Sequence, residues 1–268
     1  MTKKLKVIYN YWLVRLGIHQ ILPAECIRKV KLEENNEPLV RVDTDSNIVI
    51  SDRLAPPVYL RKTVYEKLKF MGQMLEEYGY RIKLYDAYRS FEDQQRSWDR
   101  RYKETKEQHP DLPESEIERL TRLKVSKITD KNNVGGHQTG GAIDITLVDK
   151  DGKELNMGTR YAEHNSKTKT KSNDLTVEEK SNRDLLVGLL EKLDFVNFPN
   201  EWWHFAYGDK MWAAYKFKRH CFYGYIEPDL ENKKSVSDND NLDNIAESDE
   251  HINEKKTEKM KIKTKNFK

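Results

Sequence analysis

The stretch "NNVGGHQTGGAIDITLVD", residues 132–149, brings a glycine-rich approach, one histidine and, seven residues after it, an aspartate in an apolar run. The β-branched content of residues 141–149 predicts a strand. On such a strand Ile143, Ile145 and Leu147 share one face, and Asp144 lies opposite with Ala142 and Thr146. A carboxylate in the middle of an apolar strand is costly unless something answers its charge. Gly135, Gly136, Gly140 and Gly141 allow close backbone approach or positive φ. Imidazole nitrogen and carboxylate oxygen are both good zinc ligands, so His137 and Asp144 are candidate metal ligands. A simple His–Asp hydrogen bond in a glycine turn is the alternative.

A second stretch, "NEWWHFAYG" (200–208), offers His204 as a third ligand and Glu201 as a base. Catalytic zinc usually has three protein ligands and keeps its fourth position for water, whose proton a nearby carboxylate can take. Residues 201–208 read as a strand, and in a regular strand Glu201 and His204 face opposite sides. Both serve one site only if the chain bends there or Glu201 belongs to the preceding loop, for which Pro199-Asn200 is suited. The plainer reading is a core aromatic strand, and Trp202 and Trp203 are packing residues in either case. A third stretch, "YDAYRS" (85–90), places Arg89 between a strand and a helix. A guanidinium there could stabilise an oxyanion, or simply make a surface ion pair.

Around these stretches the pattern alternates between helix and strand. Val64, Leu68, Met71 and Leu75 recur at helical spacing within 61–79, with Gly79 at the C-cap. Residues 80–89 alternate as a strand. Residues 90–104 return to helix, with Ser90 as N-cap and Asp93 three residues on. Short strand-like runs flank "DTDSN" within 40–50. A loop and a short polar helix occupy 109–127, "DKDGKEL" (149–155) is a hairpin-type turn, 163–176 is an exposed loop, and 182–195 is an amphipathic helix.

The 268 residues are 37% hydrophobic and 35% charged, with a net charge of +3, and so give little support for a nucleic-acid binder. Cys26 and Cys221 are too few and too far apart for a disulfide framework or a zinc ribbon. The N-terminus is basic but Asn10, Arg15, His19 and Gln20 interrupt any apolar signal region, and no run is long enough to span a membrane. The cytoplasm is the expected location, with the periplasm as the alternative. Residues 1–228 are expected to form one domain. Residues 229–268 contain one aromatic residue and end with seven Lys and one Glu over 255–268, which predicts a disordered charged tail. That tail is read as solvated, with weak attraction to an anionic surface as the alternative.

"YDAYRS", "GGHQTGGAIDITLVD", "MGTRY" and "FVNFPNEWWHFAYGDKMWA", in this order, resemble the D-alanyl-D-alanine dipeptidases, zinc peptidases of the VanX type. That family reads Ser-x-His-x-x-Gly-x-Ala-x-Asp, then Glu-x-Trp-His, preceded by Asp-x-Tyr-Arg. The resemblance covers residues 40–228. It implies one zinc per chain bound by His137, Asp144 and His204, with Glu201 as general base and acid and Arg89 on the scissile carbonyl oxygen. It implies an α+β fold with a central, mostly antiparallel sheet flanked by helices, and D-Ala-D-Ala or a short cell-wall peptide as substrate. Three departures stand out, the first two bearing on selectivity and the third a conservative change at a helix start. Gly135 replaces the family's Ser, Tyr161-Ala162 replaces Phe-Asp with Glu163 following, and Ser90 replaces Pro. The family's Asp meets the substrate amino group, so its loss at Ala162 motivates a D,D- or L,D-carboxypeptidase as the alternative. A non-catalytic binder of cell-wall peptides with a closed structural zinc would need a fourth ligand such as His164 or His220.

Overall fold

In the computed structural model, which describes residues 2–45, 47–127 and 134–228, the chain opens with α1 (Lys3–Arg15), α2 (Ala24–Arg28), β1 (Lys31–Leu32), β2 (Leu39–Arg41), β3 (Ile48–Ile50) and β4 (Tyr59–Arg61). Then come α3 (Lys62–Glu76), β5 (Tyr80–Asp86), α4 (Phe91–Gln108) and α5 (Glu114–Thr121). A 3-10 turn (Gly136–Thr139) leads into β6 (Ala142–Asp149), followed by α6 (Val177–Lys192), β7 (Val196–Asn197), β8 (His204–Ala206), α7 (Lys210–Tyr215) and β9 (His220–Cys221).

The fold is α+β. Its main sheet has the order β3-β5-β6-β8-β7, with β6 at the centre. Only β3 and β5 run parallel; the other pairs are antiparallel. The two faces of β6 enter different cores, as its period of two requires. Ile143, Ile145 and Leu147 join Ile82, Leu84, Val64, Leu68, Leu186 and Leu190 in the larger core. Ala142 joins Ala206, Val196, Trp212 and Ala213 in the smaller one. Nearly the whole of β6 is therefore buried, including Asp144.

The helices form where the local sequence supports them. Val64, Leu68, Met71 and Leu75 line the buried side of α3. The Ser90 side chain accepts from the Asp93 amide at the start of α4. Helix α6 begins before residue 182, because Thr176 and Glu179 form a reciprocal capping box. Helix α1, in a segment with no clear pattern, is capped by Thr2, and packs Tyr11 and Val14 against the smaller core. The strand expected over 201–208 is shorter, covering only 204–206. The tail expected over 229–268 lies outside the described residues.

Two buried arginines tie loops to this frame. The Arg61 side chain donates to the carbonyls of Thr139 (2.7 Å) and Gly224 (3.2 Å), to the Glu37 carbonyl, and to the Glu34 carboxylate (3.2 Å). Gly140 has φ +70°, a backbone conformation that L side chains rarely adopt, and a Cβ there would also press on Arg61 and displace the Leu39 side chain, so the position favours glycine. Arg183 of α6 donates to the carbonyls of Met157 (2.8 Å), Lys167 (2.8 Å) and Lys169 (2.6 Å), and so holds the long loop between β6 and α6. Replacing it leaves those carbonyls unanswered. Arg183→Met is expected to lower the unfolding free energy by about 3 kcal/mol, as read from urea titrations; an unchanged midpoint would show that water replaces these bonds without cost.

Candidate active site

Each expected site residue is placed by a particular element. Asp144 and His204 are directly paired residues on β6 and β8, so their side chains emerge on the same face. His137 lies in the 3-10 turn just before β6. Gly136 in that turn approaches Asp209 and Ala142 more closely than any Cβ would permit. Ligand atoms of His137, Asp144 and His204 all lie within 4.8 Å of one another, and among the described residues this is the one such group.

Two of the three donors are oriented by partners outside the cluster. His137 Nδ1 lies 2.8 Å from the Ala87 carbonyl, which leaves Nε2 facing Asp144 at 3.4 Å. His204 Nδ1 lies 2.8 Å from the same Asp144 oxygen, Oδ1. The Tyr161 hydroxyl donates to Oδ2 at 3.0 Å. Thus one carboxylate oxygen faces both imidazoles while the other is already engaged. Burial by itself would raise the Asp144 carboxyl, but the facing imidazoles of His137 and His204 outweigh it and hold the group well below the usual carboxylate range. Two imidazoles and an anionic oxygen, with His137 buttressed by the Ala87 carbonyl and Asp144 by the Tyr161 hydroxyl, are a donor set suited to zinc.

Glu201 resolves the facing problem posed by a regular strand. Asn197 Nδ2 donates to the carbonyls of Glu201 (3.2 Å), Trp202 (3.3 Å) and His204 (3.0 Å), folding 201–203 into a turn ahead of β8. Glu201 stands outside the ligand cluster, yet is within electrostatic reach of it. Its carboxyl is raised chiefly by burial, with His204 opposing and Asp144 reinforcing the shift. Arg89 sits between β5 and α4, as the sequence suggests. Its side chain pairs with Asp86 and donates to Gln94 Oε1 at 2.8 Å, and its amide donates to the His137 carbonyl at 3.1 Å. Gln138 Nε2 also donates to Gln94 Oε1 (3.0 Å), which ties Arg89 to the histidine turn.

Two departures from the resemblance acquire a structural meaning. Tyr161 and Ala162 lie in a turn, not on a strand, and Ala162 has φ +60°. Glu163 does not take over the missing carboxylate: it accepts from the Arg160 amide (3.0 Å) and from Asn165 Nδ2 (2.9 Å). Tyr161 stands in the sequence only as a departure from the family pattern, and its contact with Asp144 is new from the structure. Its ring stacks on Tyr85 at 4.4 Å and meets Trp203 edge-on at 5.5 Å. The signal was the hydroxyl it adds where the resemblance has Phe. Asp86 and Gln94 were likewise not singled out as the partners of Arg89.

Residues 54–223 match the family described as D-ala-D-ala dipeptidase, and the chain belongs to that peptidase family. It is 34% identical to a D-alanyl-D-alanine dipeptidase of Synechocystis sp. over 34% of this chain and 44% of the relative. It is 30% identical to those of Escherichia coli (38% and 51% covered) and Enterococcus faecium (35% and 46%). The chain therefore spans about half the length of the curated relatives it matches. Among solved structures, VanYB in complex with D-alanine-D-alanine is similar with a TM-score of 0.41 at 15% identity, covering 71% of this chain and 93% of that one. The LD-carboxypeptidase LdcB gives 0.42 at 19% identity, covering 70% and 78%.

Tyr161→Phe releases Asp144 Oδ2 and is expected to weaken zinc affinity about tenfold, measured by chelator competition; unchanged affinity would mean that the hydroxyl does not orient the ligand. A second expectation concerns Glu201 in metal-free protein. Its folded pKa is raised above the reference 4.5, so ionisation costs stability as pH climbs through and beyond that window, and the cost is absent below it. Glu201→Gln should therefore gain stability over the parent chain as pH rises from 4.5 towards neutrality. Urea unfolding in the presence of a chelator reads this directly, and equal stability across that range would place the carboxylate in contact with solvent.

Proposed function

We propose that this chain is a zinc-dependent D-alanyl-D-alanine dipeptidase, holding one zinc on His137, Asp144 and His204. The observation that carries the reading is the three-donor cluster with Glu201 beside it but outside it. A closed structural site would recruit a fourth protein ligand. His164 instead lies against the Trp203 ring at 5.8 Å, and His220 pairs with Glu33 at 3.4 Å.

Zinc held there supplies Lewis acidity, making water nucleophilic near neutral pH and polarising a carbonyl. Glu201, with its raised affinity for protons, takes the proton from the attacking water and returns it to the departing amine. Arg89 donates to the carbonyl oxygen as negative charge develops on it. Asp86 and Gln94 hold that guanidinium in place beforehand, so little reorganisation is needed during reaction. Membership of the dipeptidase family supports D-Ala-D-Ala as the substrate.

A D,D- or L,D-carboxypeptidase acting on longer muropeptides is the second reading, and one observation favours it. Position 162 carries no carboxylate, and that of Glu163 is committed to its own loop. The ammonium group of a free dipeptide thus lacks the partner that the family provides.

The test compares D-Ala-D-Ala with N-acetyl-D-Ala-D-Ala, reading free D-Ala from zinc-loaded protein. Cleavage of the free dipeptide alone is expected; cleavage of only the acylated peptide would make the protein a carboxypeptidase. Glu201→Ala should lower kcat by about 10²–10⁴-fold while retaining zinc, and near-normal turnover would remove Glu201 from the proton transfers.

A further inference from the structure

We propose that the outward face of α1 docks on an anionic lipid surface. Leu5, Ile8, Tyr9, Trp12 and Leu16 recur at i, i+3, i+4, i+7 and i+11, which gathers them into one stripe along α1 and its C-cap. Each is between 46% and 68% exposed. The opposite side of the helix is the one that packs, through Tyr11 and Val14, against the smaller core. A stripe of five large apolar side chains turned away from the core is a larger apolar surface than scattered single residues would leave. It continues past the helix through Ile18 and Ile21, which are 64% and 42% exposed.

The charges around the stripe select its partner. Helix α1 contains Lys3, Lys4, Lys6 and Arg15, and the first acidic residue of the whole chain is Glu25. At 3.6 residues per turn, Lys4 and Arg15 flank the stripe on one side and Lys6 flanks it on the other. Lys169 and Lys171 line the same surface depression as Ile18 and Ile21, with Asp174 as its single carboxylate. A second copy of the chain would bring cations against cations across such a face. An anionic bilayer surface offers phosphates to the cations and acyl chains to the stripe, with the aromatic rings of Tyr9 and Trp12 at the boundary between them. The helix has 13 residues, too few to cross a bilayer, and among the described residues no helix is long and apolar enough to do so. Docking is therefore in the plane of the interface.

Trp12 makes the test specific. It is 50% exposed, whereas Trp98, Trp202, Trp203 and Trp212 are all buried. Full-length protein is mixed with phosphatidylglycerol-containing vesicles and, separately, with phosphatidylcholine vesicles. Binding to the anionic vesicles alone is expected, with a blue shift of tryptophan emission and quenching by brominated acyl chains. The double variant Ile8→Asp/Leu16→Asp, which keeps Trp12 as reporter, should cut the bound fraction about tenfold and leave peptide hydrolysis unchanged. Absence of binding to anionic vesicles overturns the proposal. So does binding that persists in the double variant with Trp12 unquenched, because another basic segment such as 255–268 would then be responsible. A dimer that forms without lipid and is dispersed by the same substitutions also overturns it, by assigning the face to a second copy.

Discussion

A carboxylate at the centre of a buried strand has to be answered, and the answer organises this molecule. Asp144 sits on β6 with apolar neighbours on both sides, largely withdrawn from the solvent that would ordinarily stabilise its charge. The answer comes from three directions. His204 reaches it across the ladder from β8, His137 from the turn that precedes β6, and Tyr161 from the loop that follows it. Each of these is supported in turn from elsewhere: the histidine turn by the close approach at Gly136, the His204 backbone by the Asn197 amide, and the Tyr161 ring by the ring of Tyr85. The register of the sheet and the constitution of the site are thus one constraint. A slip of one residue between β6 and β8 would turn His204 away from Asp144.

Around that centre lies a second layer that contributes positioning. Arg89 is held from three sides, by Asp86, by Gln94 and through its own amide by the His137 carbonyl. Gln94 also accepts from Gln138 and donates to the Ser126 carbonyl, so a side chain of α4 meets both the histidine turn and the segment after α5. The loop carrying Tyr161 is fixed by Arg183, a residue of α6 with no contact to the donor cluster. The loop that presents the Tyr161 hydroxyl to Asp144 is thus anchored by a helix in another part of the fold.

Much of this was legible in the residues themselves. The isolated aspartate among β-branched neighbours, the glycines ahead of it and the Glu-x-x-His spacing each carry a physical signal, and the periodicities of α3 and β5 are strong. What escaped depended on contacts distant in sequence. The bend at 201–203 is imposed by Asn197, whose role no periodicity records. The early start of α6 comes from a capping box within a run that looked like featureless loop. Helix α1 has apolar residues on opposite sides, so its pattern resembles neither a half-buried helix nor a strand. Tyr161 differs from the expected residue by a single oxygen, and only the position of Asp144 in space shows what that oxygen does.

The arrangement of strands also bears on how this chain behaves when crowded. Strand β6, "AIDITLVD", is eight residues of high strand propensity whose two aspartates, Asp144 and Asp149, are its only charges, and such a run pairs readily with another strand when its backbone is exposed. It is enclosed between β5 and β8, and the sheet ends in β3 and β7, of three and two residues. Those edges present few free amides and carbonyls to a neighbouring molecule. A strand of high pairing propensity is thus sequestered at the middle of the folded sheet, and what the sheet leaves at its margins is short.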